Sequence, residues 1–388
     1  MVSIRAASGL RLGLRSRGGD RFLPPRGRPR AASLRIRPGL LAPTLGCMKG
    51  RSVRAILFDE AYAARPAEVP EPEPGAGEVL VRTRLTGICG SDMHAYLGSQ
   101  PFFVYPQIPG HEAVGEVVAG GRERGLQPGR RVVLDPTISC GACRPCRLGR
   151  YNCCVNIRVI GVHAPGTMAE AFLAPAERLH LVPDDLPDET AVLAEPLSIA
   201  LHALDRGEPA PGDAVAIVGA GAIGLSLLLV ALARGARCAV CDLEPARLAL
   251  AGRLGAELTV DGAHTDAVAA VTEWTDGEGA AVVFEAVGSP PTIRAAAEMA
   301  APAGRVVILG LCREDVPLPG AMFVRKELEV VGSRLHRNTV QQVVAMLAEG
   351  RLDPRPMLTG IRPFAEFQSA LDDLRERPGE FVKIILRP

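Results

Sequence analysis

Aromatic side chains are scarce, with a single tryptophan and all aromatics together at 4% of the chain. A core without stacked rings has to be filled by Ala, Val, Leu and Ile, which suits helices packed on a parallel sheet. Long apolar runs are missing too. The longest, Ile223 to Ala233, is too short to span a bilayer and begins inside a glycine-rich turn, so it reads as a buried helix. A paired cysteine framework is also absent. Of ten cysteines, six lie between Cys89 and Cys154, and Cys47, Cys238, Cys241 and Cys312 stand singly. This pattern excludes a disulfide-stapled secreted domain and points to a reducing compartment, expected to be the cytoplasm. Nor is there an excess of charge of one sign, since the formal net charge is +1. Ten arginines against one acid, Asp20, fall within residues 1–48, which leaves the remainder acidic and implies no surface for nucleic acid.

What is present is a chain of 388 residues, 47% hydrophobic, long enough for two domains with a sizeable core. Residues 1–47 are rich in Arg, Pro and Gly and have no periodicity. They read as a disordered leader or as sequence ahead of a true start at Met48; an Arg-rich presequence is disfavoured by Pro24, Pro25, Pro29 and Pro38. Short β-rich segments follow at Arg54–Leu57, Glu78–Leu85, Ala113–Val118, Arg131–Leu134 and Ala169–Leu173, with Pro66–Gly77 as a connecting stretch. They predict a small β-barrel-like domain. From about Asp188 the rhythm changes to a helix over Ala191–Leu204 and six strand-like segments alternating with helices: Ala214–Val218, Cys238–Cys241, Leu258–Val260, Val282–Glu285, Val306–Leu309 and Leu328–Val331. That alternation predicts an α/β fold with a doubly wound parallel sheet. The tail, with a helix near Thr339–Leu347 and a strand Val382–Leu386, is too small to fold alone and is expected to complete the first domain. The expected division is residues 48–188 with 335–388, and residues 189–334.

Four cysteines, Cys140, Cys143, Cys146 and Cys154, are spaced CxxCxxCxxxxxxxC in one short polar loop. Thiolates so placed can wrap one tetrahedral zinc, against the alternatives of two disulfides or idle thiols. Cys153 adjoins Cys154, but the spacing favours Cys154. A closed four-thiolate site keeps no position for substrate, so any chemistry must come from elsewhere.

Directly after the strand Val215–Val218 come Gly219, Ala220, Gly221, Ala222, Ile223 and Gly224, opening a helix. In this setting the glycines make the turn, admit a pyrophosphate and let helix and strand approach, while the helix N-terminus faces the phosphates. Asp242, at the end of the next strand, can accept the adenosine ribose hydroxyls or simply cap a helix. An acid there favours NAD over NADP, with Arg247 near enough to bear on a 2′-phosphate.

A looser set, Cys89 in GICGSDMH, His111 and Glu112 in PGHEAVGEV, and Glu195 in LAEPLSIALHA, offers mixed S, N and O ligands suited to a catalytic metal with an open position. On these motifs and their order, residues 54–388 resemble the zinc-dependent medium-chain dehydrogenases, the superfamily of alcohol, sorbitol and threonine dehydrogenases. The resemblance implies a GroES-like catalytic domain, a Rossmann domain and two Zn2+ ions per chain, one catalytic and one structural. It further implies that Cys89, His111 and Glu195 bind the catalytic zinc, with Glu112 either a ligand or an exchangeable neighbour. Ser91 and His94 correspond to a proton relay, and Asp92 orients a ligand. Glu195 stands where alcohol dehydrogenases carry cysteine, which points to the polyol, threonine and sugar-acid branch.

PFFVYPQIPGHE, GVHAPG and KELEVVGSR are most similar to dehydrogenases of sugar acids such as L-gulonate and L-galactonate. A carboxylated polyol needs a cation in its pocket, and Arg334 is placed to offer a bidentate clamp. His163 is a further candidate for substrate hydroxyls. The resemblance also implies a homodimer or homotetramer. Sorbitol-like or threonine-like substrates are the rival readings, and a nucleotide-binding module that has lost its chemistry is the alternative of another class.

Overall fold

The structure, a computed structural model, describes residues 50–388. The expectations for residues 1–47 and for a start at Met48 lie outside them. Two sheets organise the described chain. The first is a GroES-like barrel sheet of seven strands, in which Leu358–Pro363, Lys383–Arg387, Glu78–Gly87, Glu112–Gly120, Arg131–Leu134 and Leu179–Leu181 are successive neighbours and Ala171–Pro175 pairs with Glu78–Gly87. A two-stranded ribbon, Ser52–Glu60 with Ala63–Pro70, accompanies it. The stretch expected as a connector from Pro66 therefore begins as strand. Ala63–Pro70 pairs with Ser52–Glu60 alone, so a proline can sit on the side that needs no N–H donor.

The second sheet is parallel and doubly wound. Its strands Leu258–Asp261, Arg237–Asp242, Ala214–Val218, Ala280–Glu285, Ala300–Ile308 and Glu329–Gly332 lie side by side in that order. The order in which strands are added reverses between the parallel neighbours Ala214–Val218 and Ala280–Glu285, so the glycine turn after Val218 opens at the crevice where such sheets bind ligands. The expected helix from Ala191 is split into Asp188–Ala191 and Ala194–Gly207, which places Glu195 in a first helical turn.

The tail strand Lys383–Arg387 pairs antiparallel with Glu78–Gly87 in the barrel sheet. The scarce aromatics are partitioned. Phe58, Tyr96, Phe103, Phe364 and Phe367 pack together beside the barrel, whereas the large aliphatic core around helix Ala222–Ala233 contains only Phe284 among its buried rings.

Candidate metal centres and dinucleotide turn

Strand Glu78–Gly87 ends just before Cys89, which caps helix Gly90–Tyr96, and His111 immediately precedes strand Glu112–Gly120. These two adjacent antiparallel strands bring Cys89, His111 and Glu112 together, with one ligand atom of each within 4.8 Å of the others. Gly87 faces Glu112 in the register, and a Cβ there would stand 2.1 Å from Glu112 Oε2, so the site has room for that carboxylate only because residue 87 has no side chain.

Asp92 is buried and ties the cluster together. Its carboxylate accepts the Cys89 N–H (2.9 Å) and the Gly110 N–H (3.2 Å), and its Oδ1 lies 3.7 Å from His111 Nδ1. Burial pushes the Asp92 carboxyl above its ordinary range. Burial also opposes charge on His111, but Asp92, Cys89 and Glu195 together hold its pKa well above the usual value. Glu195 falls outside the 4.8 Å cluster, yet it is buried, its Oε2 has no hydrogen-bond partner, and burial with repulsion from Glu112 raises its pKa to about 8. A buried imidazole drawn towards protonation by surrounding acids marks surplus negative charge. That donor set fits a divalent cation.

Glu112 has a partner the sequence reading missed. Lys383, itself buried, donates to Glu112 Oε1 at 2.6 Å and to the Ile88 carbonyl at 3.1 Å. Glu112 is thus a member of the cluster whose charge Lys383 balances, whereas Glu195 lies outside the cluster with no cation bonded to it. A lone lysine in the apolar run VKIIL was the only available signal. Ser91 Oγ lies 3.4 Å from His111 Nε2, whereas His94 Nδ1 is 2.9 Å from Ser99 Oγ. Ser91 and His94 are not hydrogen-bonded to each other.

In the four-cysteine loop the Sγ separations are 3.3 Å for Cys143–Cys146, 3.5 Å for Cys140–Cys154 and 3.8 Å for Cys143–Cys154. A disulfide needs about 2.05 Å. Tetrahedral Zn–S bonds of about 2.3 Å put sulfurs about 3.8 Å apart, so the donor set fits one zinc. Cys154 belongs to the cluster and Cys153 does not. The backbone N–H groups of Ala142 and Cys143 draw the Cys140 thiol down to about 6, favouring the thiolate.

At the glycine turn, Gly219 has φ +101° and a Cβ on Gly224 would lie 1.7 Å from the Gly219 carbonyl oxygen. Nothing lies within 4 Å of a Cβ built on Gly221, the residue that caps helix Ala222–Ala233, so that side of the turn is open to a ligand. Ile223 is half-buried in the first turn of the same helix. Asp242 accepts the Ala220 N–H at 2.5 Å and the Glu244 N–H at 2.9 Å, which sets its carboxylate against the turn. Arg247 is engaged elsewhere, donating from Nε to the Pro378 carbonyl at 2.9 Å.

His163 Nδ1 accepts the Val159 N–H at 3.1 Å, which leaves Nε2 as the protonated nitrogen of the neutral ring. Burial, then Arg158 and Arg334, lower its pKa, and its ring stacks on Phe102. Arg334 is exposed, and its side chain has no ion-pair partner among the described residues.

Two family models match the chain: the alcohol dehydrogenase GroES-like domain over residues 75–184 and the zinc-binding dehydrogenase over residues 222–349. An uncharacterized zinc-type alcohol dehydrogenase-like protein of Haemophilus influenzae is 40% identical over 87% of this chain and 99% of its own. The L-galactonate-5-dehydrogenase of Escherichia coli K12 is 37% identical over 76% of this chain and 87% of its own. Among solved structures, the alcohol dehydrogenase RspB of Escherichia coli CFT073, complexed with NADH, superposes with a TM-score of 0.83 at 31% identity, covering 87% of this chain and all of that one.

Proposed function

The chain belongs to the zinc-dependent medium-chain dehydrogenases, the superfamily of alcohol, sorbitol and threonine dehydrogenases, and from that premise we propose that it oxidises a secondary hydroxyl of a polyol or sugar acid with NAD as hydride acceptor. The observation that carries the reading is the cluster of Cys89, His111 and Glu112 with the buried acid Glu195 just outside it, whose Oε2 has no hydrogen-bond partner and whose charge acts on His111. Of these, Cys89, His111 and Glu195 are the three ligands this reading chooses. Zinc held by these three residues would supply Lewis acidity of the kind that lowers a bound water's pKa to about 7.

The remaining work falls to the chain. Asp92 fixes the backbone on both sides of the cluster and faces His111 Nδ1, so the ring presents Nε2. Ser91 sits beside that nitrogen and is the first acceptor for the hydroxyl proton; His94, held by Ser99, is the outer member of the relay. Lys383 balances the charge of Glu112, which stands in the cluster as an exchangeable neighbour of the ligands. Asp242 favours NAD because its carboxylate would repel a 2′-phosphate, and Arg247 already spends its Nε donor on the Pro378 carbonyl. RspB, which shares this fold, was solved with NADH.

The sugar-acid branch is supported by the likeness to L-galactonate-5-dehydrogenase and by Arg334, an unpaired guanidinium within charge range of His163. On the same reading residues 48–188 and 335–388 form the catalytic domain, residues 189–334 the NAD domain, and the protein works in the cytoplasm. The edge strand Glu329–Gly332, with Val330 exposed, is the surface assigned to self-association as a homodimer or homotetramer.

Steady-state kinetics of Arg334→Ala test the substrate class. With L-galactonate, kcat/KM should fall by about tenfold or more, while with the neutral galactitol it should stay within about twofold. An equal fall for both would contradict the carboxylate clamp.

A further inference from the structure

The segment Ser333–Thr339 joins the last strand of the nucleotide sheet to helix Val340–Ala348 and carries Arg334. Two of its residues, Leu335 (φ +49°) and Asn338 (φ +56°), occupy the left-handed region although neither is glycine. Such conformations persist only where the surroundings over-determine them. Here the surroundings come from the four-cysteine loop. Asn152, two residues before Cys154 and buried, donates from Nδ2 to the Arg334 carbonyl at 2.8 Å and lies 3.2 Å from His202 Nε2. Tyr151 accepts the Asn338 N–H on its hydroxyl at 2.9 Å.

Between these two anchors the buried His336 points into the protein. Its Nε2 lies 3.4 Å from Asp135 Oδ1, and Asp135 in turn accepts from Arg178 at 2.9 Å and from the Tyr151 hydroxyl at 3.4 Å. Arg178 lies over the Tyr151 ring, 4.4 Å from its centroid. The far end of the segment is held by Thr339, whose hydroxyl donates to the Ser198 carbonyl at 2.9 Å. Ser198 and His202 are on the helix that carries Glu195. The segment is therefore held by three hydrogen bonds, two of them supplied by consecutive residues of the cysteine loop, with His336 buried beside Asp135 between them, and Arg334 leaves it at the point where Asn152 holds its carbonyl.

We propose that Tyr151 and Asn152 are positioning residues, through which the four-cysteine loop braces the strained segment Ser333–Thr339 and aims Arg334 at the anionic group of the substrate. The brace rests on the reading of Arg334 as the carboxylate clamp. It adds a role for the cysteine loop beyond local stability, because the loop's own backbone geometry then reaches the substrate pocket. Removing the Asn152 amide frees the Arg334 carbonyl and lets the left-handed turn relax. Removing the Tyr151 hydroxyl frees the Asn338 N–H while the ring stays under Arg178.

The test uses the zinc-loaded enzyme and its Asn152→Ala and Tyr151→Phe variants, each checked for unchanged zinc content. Amide exchange across residues 333–339 should quicken by about tenfold in Asn152→Ala and less in Tyr151→Phe. KM for L-galactonate should rise by about tenfold in Asn152→Ala, with kcat and the galactitol kinetics within about twofold of the parent, and Tyr151→Phe should follow the same pattern at smaller amplitude. Unchanged exchange in both variants overturns the brace. Faster exchange with an equal loss for L-galactonate and galactitol also overturns it, while the clamp reading stands or falls separately on Arg334→Ala.

Discussion

Lys383 and Glu112 hold each other inside the protein, with 2% and 1% of their side chains exposed. A buried pair of this kind gains little over apolar packing, but removing one partner strands the other's charge. Lys383→Met should therefore cost about 3–5 kcal/mol of stability. Adding Glu112→Gln should recover most of that, because a neutral amide needs no counter-charge. Urea unfolding of the two variants and the parent measures both; an equal loss in the single and the double variant would show that the pair's charge is not what matters.

Residue types, more than residue partners, were readable in the chain. Cys89, His111, Glu112, Glu195 and the four-cysteine set carry their chemistry in their side chains, and a loop spacing or a motif announces them. The groups that orient them do not. Lys383 reaches Glu112 across 271 positions and Asn152 reaches the Arg334 carbonyl across 182. No local pattern encodes such contacts, and lysine and asparagine are ordinary surface residues when read in sequence.

At the scale of elements, the inner strands Ala214–Val218, Arg237–Asp242 and Ala280–Glu285 were legible because parallel strands covered on both faces read as short apolar runs. Ala63–Pro70 and Leu358–Pro363 were not. They contain prolines and polar residues, and each is a strand only because another strand lies beside it. The helix expected at Ala191 starts instead at Ala194, with Val192 and Leu193 in the turn between two helices.

The glycine turn is the element whose geometry follows most tightly from its sequence. Gly224 lets helix Ala222–Ala233 approach Val218, and a methyl group there would meet the Gly219 carbonyl at 1.7 Å. Gly224→Ala should push the helix N-terminus away from the phosphate position and weaken NADH binding by about tenfold or more. Fluorescence titration with NADH gives the affinity, and far-UV circular dichroism should show the fold retained. An unchanged affinity would mean that the turn does not hold the dinucleotide.

For the molecule as a whole, the scarcity of aromatics correctly pointed to an aliphatic core in the nucleotide sheet. It did not reveal that the rings would gather beside the barrel, where Phe364 and Phe367 from the tail meet Phe58 from the first strand. Among the described residues no helix is long and apolar enough to cross a membrane. The return of the tail strand to the barrel sheet is also what delivers Lys383 to the metal cluster, so one long-range pairing serves both the fold and the site.

On the proposed reading one chain holds two zinc ions, one closed off by four thiolates and one at the Cys89–His111 cluster with Glu195 as its third ligand. Zinc stoichiometry by inductively coupled plasma mass spectrometry, on the purified protein and on Cys89→Ser, tests it directly. About two zinc ions per chain are expected in the parent, falling to about one in the folded Cys89→Ser variant. A single zinc in the parent, or a variant that keeps both, would contradict it.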